Sequence, residues 1–162
     1  MQDTALYQYL LGLKSPWTVS RVNLDVKAQR VDVWAEHPKG AAWECPQCSK
    51  KLPLYDHAEA RTWRHLDSCQ FQPHLHARIP RVECGEHGVV QVTVPWAEPR
   101  SRFTLLFERL AIDVLSQCDV SGATRILRIS WDEAWGLMQR AVKRGRARKQ
   151  TRIVRRMSAV IQ

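Results

Sequence analysis

The chain has 162 residues, 44% hydrophobic and 25% charged, with a formal net charge of +9 and a sequence pI of about 9.8. This balance excludes an intrinsically disordered chain and admits one domain or two small ones. The positive excess favours an acidic partner, most commonly nucleic acid, and no stretch reaches the ~18–20 apolar residues of a membrane span.

Residues 3–13 read as a short helix. Asp3 or Thr4 caps it, Leu6, Leu10 and Leu13 share a face with Tyr9, and Pro16 ends it. The first residues have no basic stretch and too short an apolar run for a signal peptide. With five cysteines, an odd number, the expectation is a reducing cytoplasm and ligand thiols in place of disulfides. Alternation from Val19 to Trp34 predicts a hairpin turning near Lys27 to Arg30. His37-Pro38-Lys39-Gly40 then leads to the stretch on which the first half is organised.

That stretch begins with Cys45-Pro46-Gln47-Cys48 and ends with Cys84-Gly85-Glu86-His87. Zinc prefers four tetrahedral ligands drawn from thiolate and imidazole, and each of these turns supplies two. Pro46 stiffens the first turn, while Gly85 and Gly88 let the second close tightly. Cys45, Cys48, Cys84 and His87 are therefore expected to hold Zn2+. A closed set of four leaves no place for water, so the metal is structural. Strand-like pieces at Arg61–Leu66, Phe71–Ile79 and Val89–Val94 lie around the knuckles. Short strands with knuckles at their turns follow the zinc-ribbon plan, and a metal crosslink suits so small a core.

Pro95 and Pro99 mark a break near 95–102, after which the apolar period changes from about two to about 3.6. Phe103, Leu106, Phe107, Leu110, Ala111, Val114, Leu115 and Cys118 define an amphipathic helix capped by Thr104 or Ser101. Shorter helices are expected near 120–127 and 131–144. Asp119 or Ser121 caps the first of these, and Ser130-Trp131-Asp132-Glu133 is a capping box for the second.

This succession predicts a helix-turn-helix, with Ala123, Leu127, Ile129, Ala134 and Leu137 buried between its helices. A plain three-helix bundle is the alternative. Arg128 stands where the turn usually has glycine, and a left-handed backbone there costs about 1 kcal/mol. If the last helix enters the major groove, Ser130, Trp131, Asp132, Gly136, Gln139 and Arg140 are the groove candidates. Trp131 is equally able to pack on the first helix, and Trp135 reads as core.

Lys143, Arg144, Arg146, Arg148, Lys149, Arg152, Arg155 and Arg156 follow, eight cations without an acidic residue between them. Such a block neutralises phosphates and gives affinity without sequence choice. The fold class that results is α+β. A zinc-ribbon-like domain with its N-terminal helix and hairpin occupies 1–97, an all-α helix-turn-helix domain 98–145, and a basic tail 146–162. His74 and His76 share a strand face and read as a polar face more readily than as a metal pair. Asp56, His57 and His65 give no clear site, Cys69 is remote in sequence from both knuckles, and Cys118 reads as core.

Together these residues resemble the ISL-three group of bacterial insertion-sequence transposases. The resemblance covers 5–156. It rests on the two knuckles, on Arg61-Thr62-Trp63-Arg64-His65-Leu66-Asp67 and on Pro80-Arg81-Val82-Glu83-Cys84. It rests also on Val94-Pro95-Trp96-Ala97, Arg102-Phe103-Thr104 and Phe107-Glu108. It implies a DNA-binding region that recognises the terminal inverted repeats of its element in double-stranded DNA. Its protein partner would be a second copy or a full-length transposase, in the bacterial cytoplasm at the nucleoid and without a membrane. The family also carries a catalytic domain of ribonuclease-H type, and no carboxylate follows Glu133 here. The expectation is thus a chain without strand-transfer activity of its own. A free-standing zinc-containing regulator or inhibitor of transposition is the alternative.

Overall fold

The computed structural model describes the backbone of residues 3–158 and the side chains of residues 3–149. The chain divides into two compact units, 1–107 and 108–162, a partition that falls inside the first long helix.

The first unit opens with helix α1 (Asp3–Leu10), followed by strands β1 (Thr18–Asp25) and β2 (Arg30–Glu36). Two short strands, β3 (Trp43–Glu44) and β4 (Lys51–Leu52), form their own ladder. Then come β5 (Asp56–Arg64), β6 (Gln72–Cys84) and β7 (Gly88–Gln91). The main sheet has the order β1-β2-β6-β5, with β7 pairing along the far end of β6. The expected hairpin is β1–β2, antiparallel, with Asp25 opposite Arg30. β2 and β6 run parallel, with Val33 beside Leu75, while β5 and β7 pair with β6 antiparallel. The 13-residue β6 is therefore the spine of the unit. Pro80, which lacks an N–H, sits opposite the irregularity between His57 and Ala60 of β5.

Alternation places Val31, Val33 and Ala35 of β2 and Leu75, Ala77 and Ile79 of β6 on the buried face. Trp17, Trp43, Trp63 and Trp96 meet there, with Trp17 and Trp96 edge to face at 4.8 Å between ring centres. The N-terminal helix is shorter than its apolar pattern suggests. It stops at Leu10 because Gly12 takes φ +62°, a conformation open to glycine and ill suited to a helix interior. Leu11 and Leu13 then turn into the core, while Leu6, Tyr9 and Leu10 stay exposed. The strand expected over 89–94 ends at Gln91, and Val92 instead bonds the Pro80 carbonyl at 3.0 Å.

Two sequence runs that lie far apart meet in this unit. Arg64 N–H donates to the Arg102 carbonyl at 2.8 Å, and Thr104 N–H donates to the Arg64 carbonyl at 3.0 Å. Buried His65 bonds the Thr104 hydroxyl through Nδ1 at 2.9 Å, and burial lowers its pKa. These bonds fix the start of helix α2 (Leu105–Gln117), which Thr104 caps by accepting from Phe107 N–H at 3.3 Å.

The second unit takes in the rest of α2, then α3 (Val120–Leu127) and α4 (Trp131–Ser158). Among its described residues the buried apolar ones are Ala111, Ala123, Leu127, Ala134 and Leu137, mostly small side chains that let the helices approach closely. The last helix, expected to end near 144, continues to Ser158. Neither glycine nor proline follows Gly145 to stop it, and straight-chain Arg and Lys favour helix.

Candidate metal centre and nucleic-acid interface

The first knuckle is the turn between β3 and β4, and the second joins β6 to β7. Cys45 N–H donates to the Lys50 carbonyl and Ser49 N–H to the Cys45 carbonyl, each at 2.9 Å, with Ser49 at φ 58°. In the second turn His87 N–H donates to the Cys84 carbonyl at 3.2 Å, and Gly88 takes φ 67°. Exposed Lys50 and Glu86 pair across the two knuckles.

The ligand atoms of Cys45, Cys48, Cys84 and His87 all lie within 4.8 Å of one another. A tetrahedral zinc with bonds of roughly 2.3 Å to sulfur and 2.0 Å to nitrogen sets edges of roughly 3.8 Å (S–S) and 3.5 Å (S–N). The Cys48 and Cys84 sulfurs are 3.7 Å apart, and His87 Nδ1 lies 3.7 Å from Cys45 Sγ and 3.4 Å from Cys84 Sγ. These three separations match the edges of such a tetrahedron and are far longer than a disulfide bond of about 2.0 Å. The electrostatics agree. The Gln47 backbone N–H favours the Cys45 thiolate and the Glu86 N–H favours that of Cys84, so both pKa values fall. The Lys50 N–H favours ionisation of Cys48 too, but burial and the neighbouring Cys45 and Cys84 outweigh it and push Cys48 up. Three sulfurs this close ionise together only with a cation among them, and Zn2+ fits the donor set.

Among the described residues no other group of three or more metal-capable side chains converges. His76 is engaged by Asp32 at 2.5 Å and Thr62 at 2.9 Å, and its ring stacks on Trp34. Asp56 pairs with Arg81. Cys69 is exposed, and Cys118 is half-buried with its thiol on the Val114 carbonyl.

In the second unit, Asp119 caps α3 by accepting from Gly122 N–H at 2.7 Å. Arg128 ends that helix at φ 54°, ψ 49°, the left-handed conformation that the turn demands, and Ile129 N–H closes back onto the Thr124 carbonyl. Ser130 and Glu133 form a reciprocal capping box. The Ser130 hydroxyl accepts from Glu133 N–H at 3.2 Å, and the Glu133 carboxylate accepts from Ser130 N–H at 2.8 Å. Ala123, Leu127, Ala134 and Leu137 are buried, and Ile129 is half-buried.

The groove candidates separate onto two faces of α4. Ser130, Trp131, Asp132 and Gln139 are exposed, as are Lys143, Arg146, Arg148 and Lys149. Gly136 is half-buried beside the Arg140 guanidinium. Arg140 and Arg144 turn toward α2, where both bond the carboxylate of Glu108, itself 1% exposed. Sequence patterning does not single out Glu108 as a partner of these arginines. The available signal is an acid beside the apolar stripe of α2 and two arginines one helical turn apart. Trp135 reverses its expectation. It is 59% exposed, because small Ala134 and Leu137 make the inward contact and the indole falls on the opposite side. Arg152, Arg155 and Arg156 lie outside the residues whose side chains are described.

A Cys3His cluster on a β ribbon, followed by a capped helix-turn-helix, defines a zinc-ribbon DNA-binding region. Residues 41–87 match the zinc-finger of transposase IS204/IS1001/IS1096/IS1165, and residues 92–142 match the helix-turn-helix domain of transposase family ISL3. The chain belongs to the ISL3 transposase family, of which it carries the zinc-finger and helix-turn-helix region. It is similar to the transposases for insertion sequence element IS1557 of two Mycobacterium tuberculosis strains, CDC 1551 / Oshkosh and ATCC 25618 / H37Rv. Each is 26% identical over 145 residues, covering 86% of this chain and 33% of the relative. The chain thus spans about a third of the length of the curated relatives it matches. No solved structure gives a significant match. Among the described residues no helix is long and apolar enough to cross a membrane.

Proposed function

We propose that this chain is the DNA-recognition region of a transposase and reads the terminal inverted repeats of its insertion sequence as double-stranded DNA. One observation carries the reading: the left-handed turn at Arg128 and the capping box at Ser130 present α4 as a recognition helix with exposed cations along its later turns. The division of labour follows from it. Residues 1–97 form a domain held by one structural zinc on Cys45, Cys48, Cys84 and His87. Residues 98–145 read sequence, and the basic stretch 146–162 adds phosphate affinity. The working partner is a second copy or a full-length transposase at the bacterial nucleoid.

The test is a binding titration of the zinc-loaded chain against duplexes carrying the element's terminal repeats and against scrambled duplexes, at several salt concentrations. Specific sites are expected to bind at least about a thousandfold more tightly than scrambled ones at physiological salt. Equal affinity for both would overturn the reading.

A further inference from the structure

A recognition helix must meet particular bases, and what α4 would meet rests on the DNA-binding role proposed above. We propose that the helix recognises A·T pairs in the major groove through an apolar contact. The exposed Trp135 indole, flanked by Trp131, would lie against a thymine C5-methyl group, and Gln139 would bond the adenine one step along.

Trp131 and Trp135 are 58% and 59% exposed and stand one helical turn apart, with Gln139 one turn further on the same face. So much indole surface in water is unfavourable unless a partner covers it. The stripe cannot roll inward. Ala134 and Leu137 fill the buried side, and Arg140 and Arg144 are held there by Glu108. The capping box fixes the helix start at Trp131, so these aromatics occupy the end that a helix-turn-helix inserts into the groove.

Charge decides which partner covers the stripe. Asp132 is the one exposed acid of α4 among the described residues, whereas Lys143, Arg146, Arg148 and Lys149 are exposed cations downstream. A second copy laid along this face in parallel would set those cations against their own counterparts, while a DNA duplex neutralises them. Within the groove an indole has a single donor and a large apolar face. The apolar group that a base pair offers there is the thymine methyl, and the side chain that matches adenine N6 and N7 is an amide such as Gln139.

The test uses the full zinc-loaded chain and duplexes that the wild type selects from a randomised library. In a selected duplex, thymines are replaced one at a time by deoxyuridine, which removes the C5-methyl and leaves every hydrogen-bonding group. At one or more positions this should weaken wild-type binding about fivefold or more. Trp135→Ala should bind the thymine and uracil duplexes alike. Trp135→Phe, checked for helicity by circular dichroism, should keep part of the thymine preference, and it serves as the decisive variant if the alanine form does not fold. Uracil duplexes that all bind like their parent, or a Trp135→Ala that keeps the full thymine preference, would overturn the proposal. So would a DNA-free dimer that Trp135→Ala dissolves in sedimentation, the thymine preference being absent, since a second copy would then cover the stripe. Failure of the library to enrich any sequence would overturn the DNA-recognition role and this inference with it, an outcome distinct from enrichment that ignores the methyl.

Discussion

The Arg140 guanidinium donates from Nε to Oε1 of Glu108 at 2.9 Å, joining the middle of α4 to the start of α2 within the second unit. Arg144, one helical turn on, donates to the other carboxylate oxygen at 3.1 Å. A carboxylate buried this fully needs hydrogen-bond partners for its oxygens, and the two arginines give up part of their mobility to supply them. The contact sets the rotation of α4 about its axis, and hence which residues face outward.

Glu108→Gln tests that role. The arginines are about a third exposed on their own side chains, so the loss of stability is expected to be about 1–3 kcal/mol, below that of a fully buried pair. The variant also releases two cations and loosens the helix. Affinity for random duplex should rise while preference for the specific site falls. Chemical denaturation followed by far-UV circular dichroism gives the first quantity, and paired binding titrations give the second. Unchanged discrimination in a destabilised variant would mean that Glu108 only stabilises the unit.

Metal analysis of the purified chain should find one zinc ion per molecule. Cys48→Ser should lose it and loosen the first unit, because the metal-ligand free energy is part of the folding free energy of a small zinc domain. Cys118→Ser, which alters a half-buried thiol bonded to the Val114 carbonyl, should keep the full metal content. Full zinc occupancy in Cys48→Ser would remove that cysteine from the ligand set.

Replacing Arg146, Arg148 and Lys149 with alanine should weaken binding to specific and random duplexes by the same factor. The log–log salt dependence should flatten by about 0.9 for each phosphate that the variant no longer neutralises. A change confined to the specific site would instead place base contacts in this segment.

The His74 imidazole supplies a pH dependence. Burial is the main cause that lowers its pKa from the ordinary 6.5 to about 4, with the Arg30 cation acting in the same direction. In the unfolded chain the ring takes its proton first as pH falls. The stability tied to the neutral ring is therefore complete above about 6.5 and is lost progressively between about 6.5 and 4. With partial exposure the loss is at most about 3 kcal/mol. Zinc release also destabilises the fold in acid, so the measurement is the difference between wild type and His74→Gln, both zinc-loaded, by denaturant titration across that range. Parallel pH profiles would show that His74 is solvated enough to titrate normally.

What the sequence by itself determined lies within a few residues of its own cause. The knuckles need only two ligands and a turn each, the capping box needs Ser130 and Glu133 three apart, and the left-handed turn follows from where α3 must stop. The structure brings the four candidate ligand atoms within 4.8 Å of one another and puts Arg128 at positive φ. Tertiary structure decided what no local pattern encodes. The parallel pairing of β2 with β6 and the meeting of Arg64 and His65 with the segment before α2 join positions distant in sequence. Gly12 ends α1 locally, but the burial of Leu11 and Leu13 depends on a core for them to enter. Most telling is α4, where aromatic size marks Trp135 as core. Close approach of the helices instead favours small Ala134 and needs a counter-charge for Glu108, so Arg140 lies inward and the indole outward. Periodicity reports that a helix has two faces, and only the packing partners decide which one is buried.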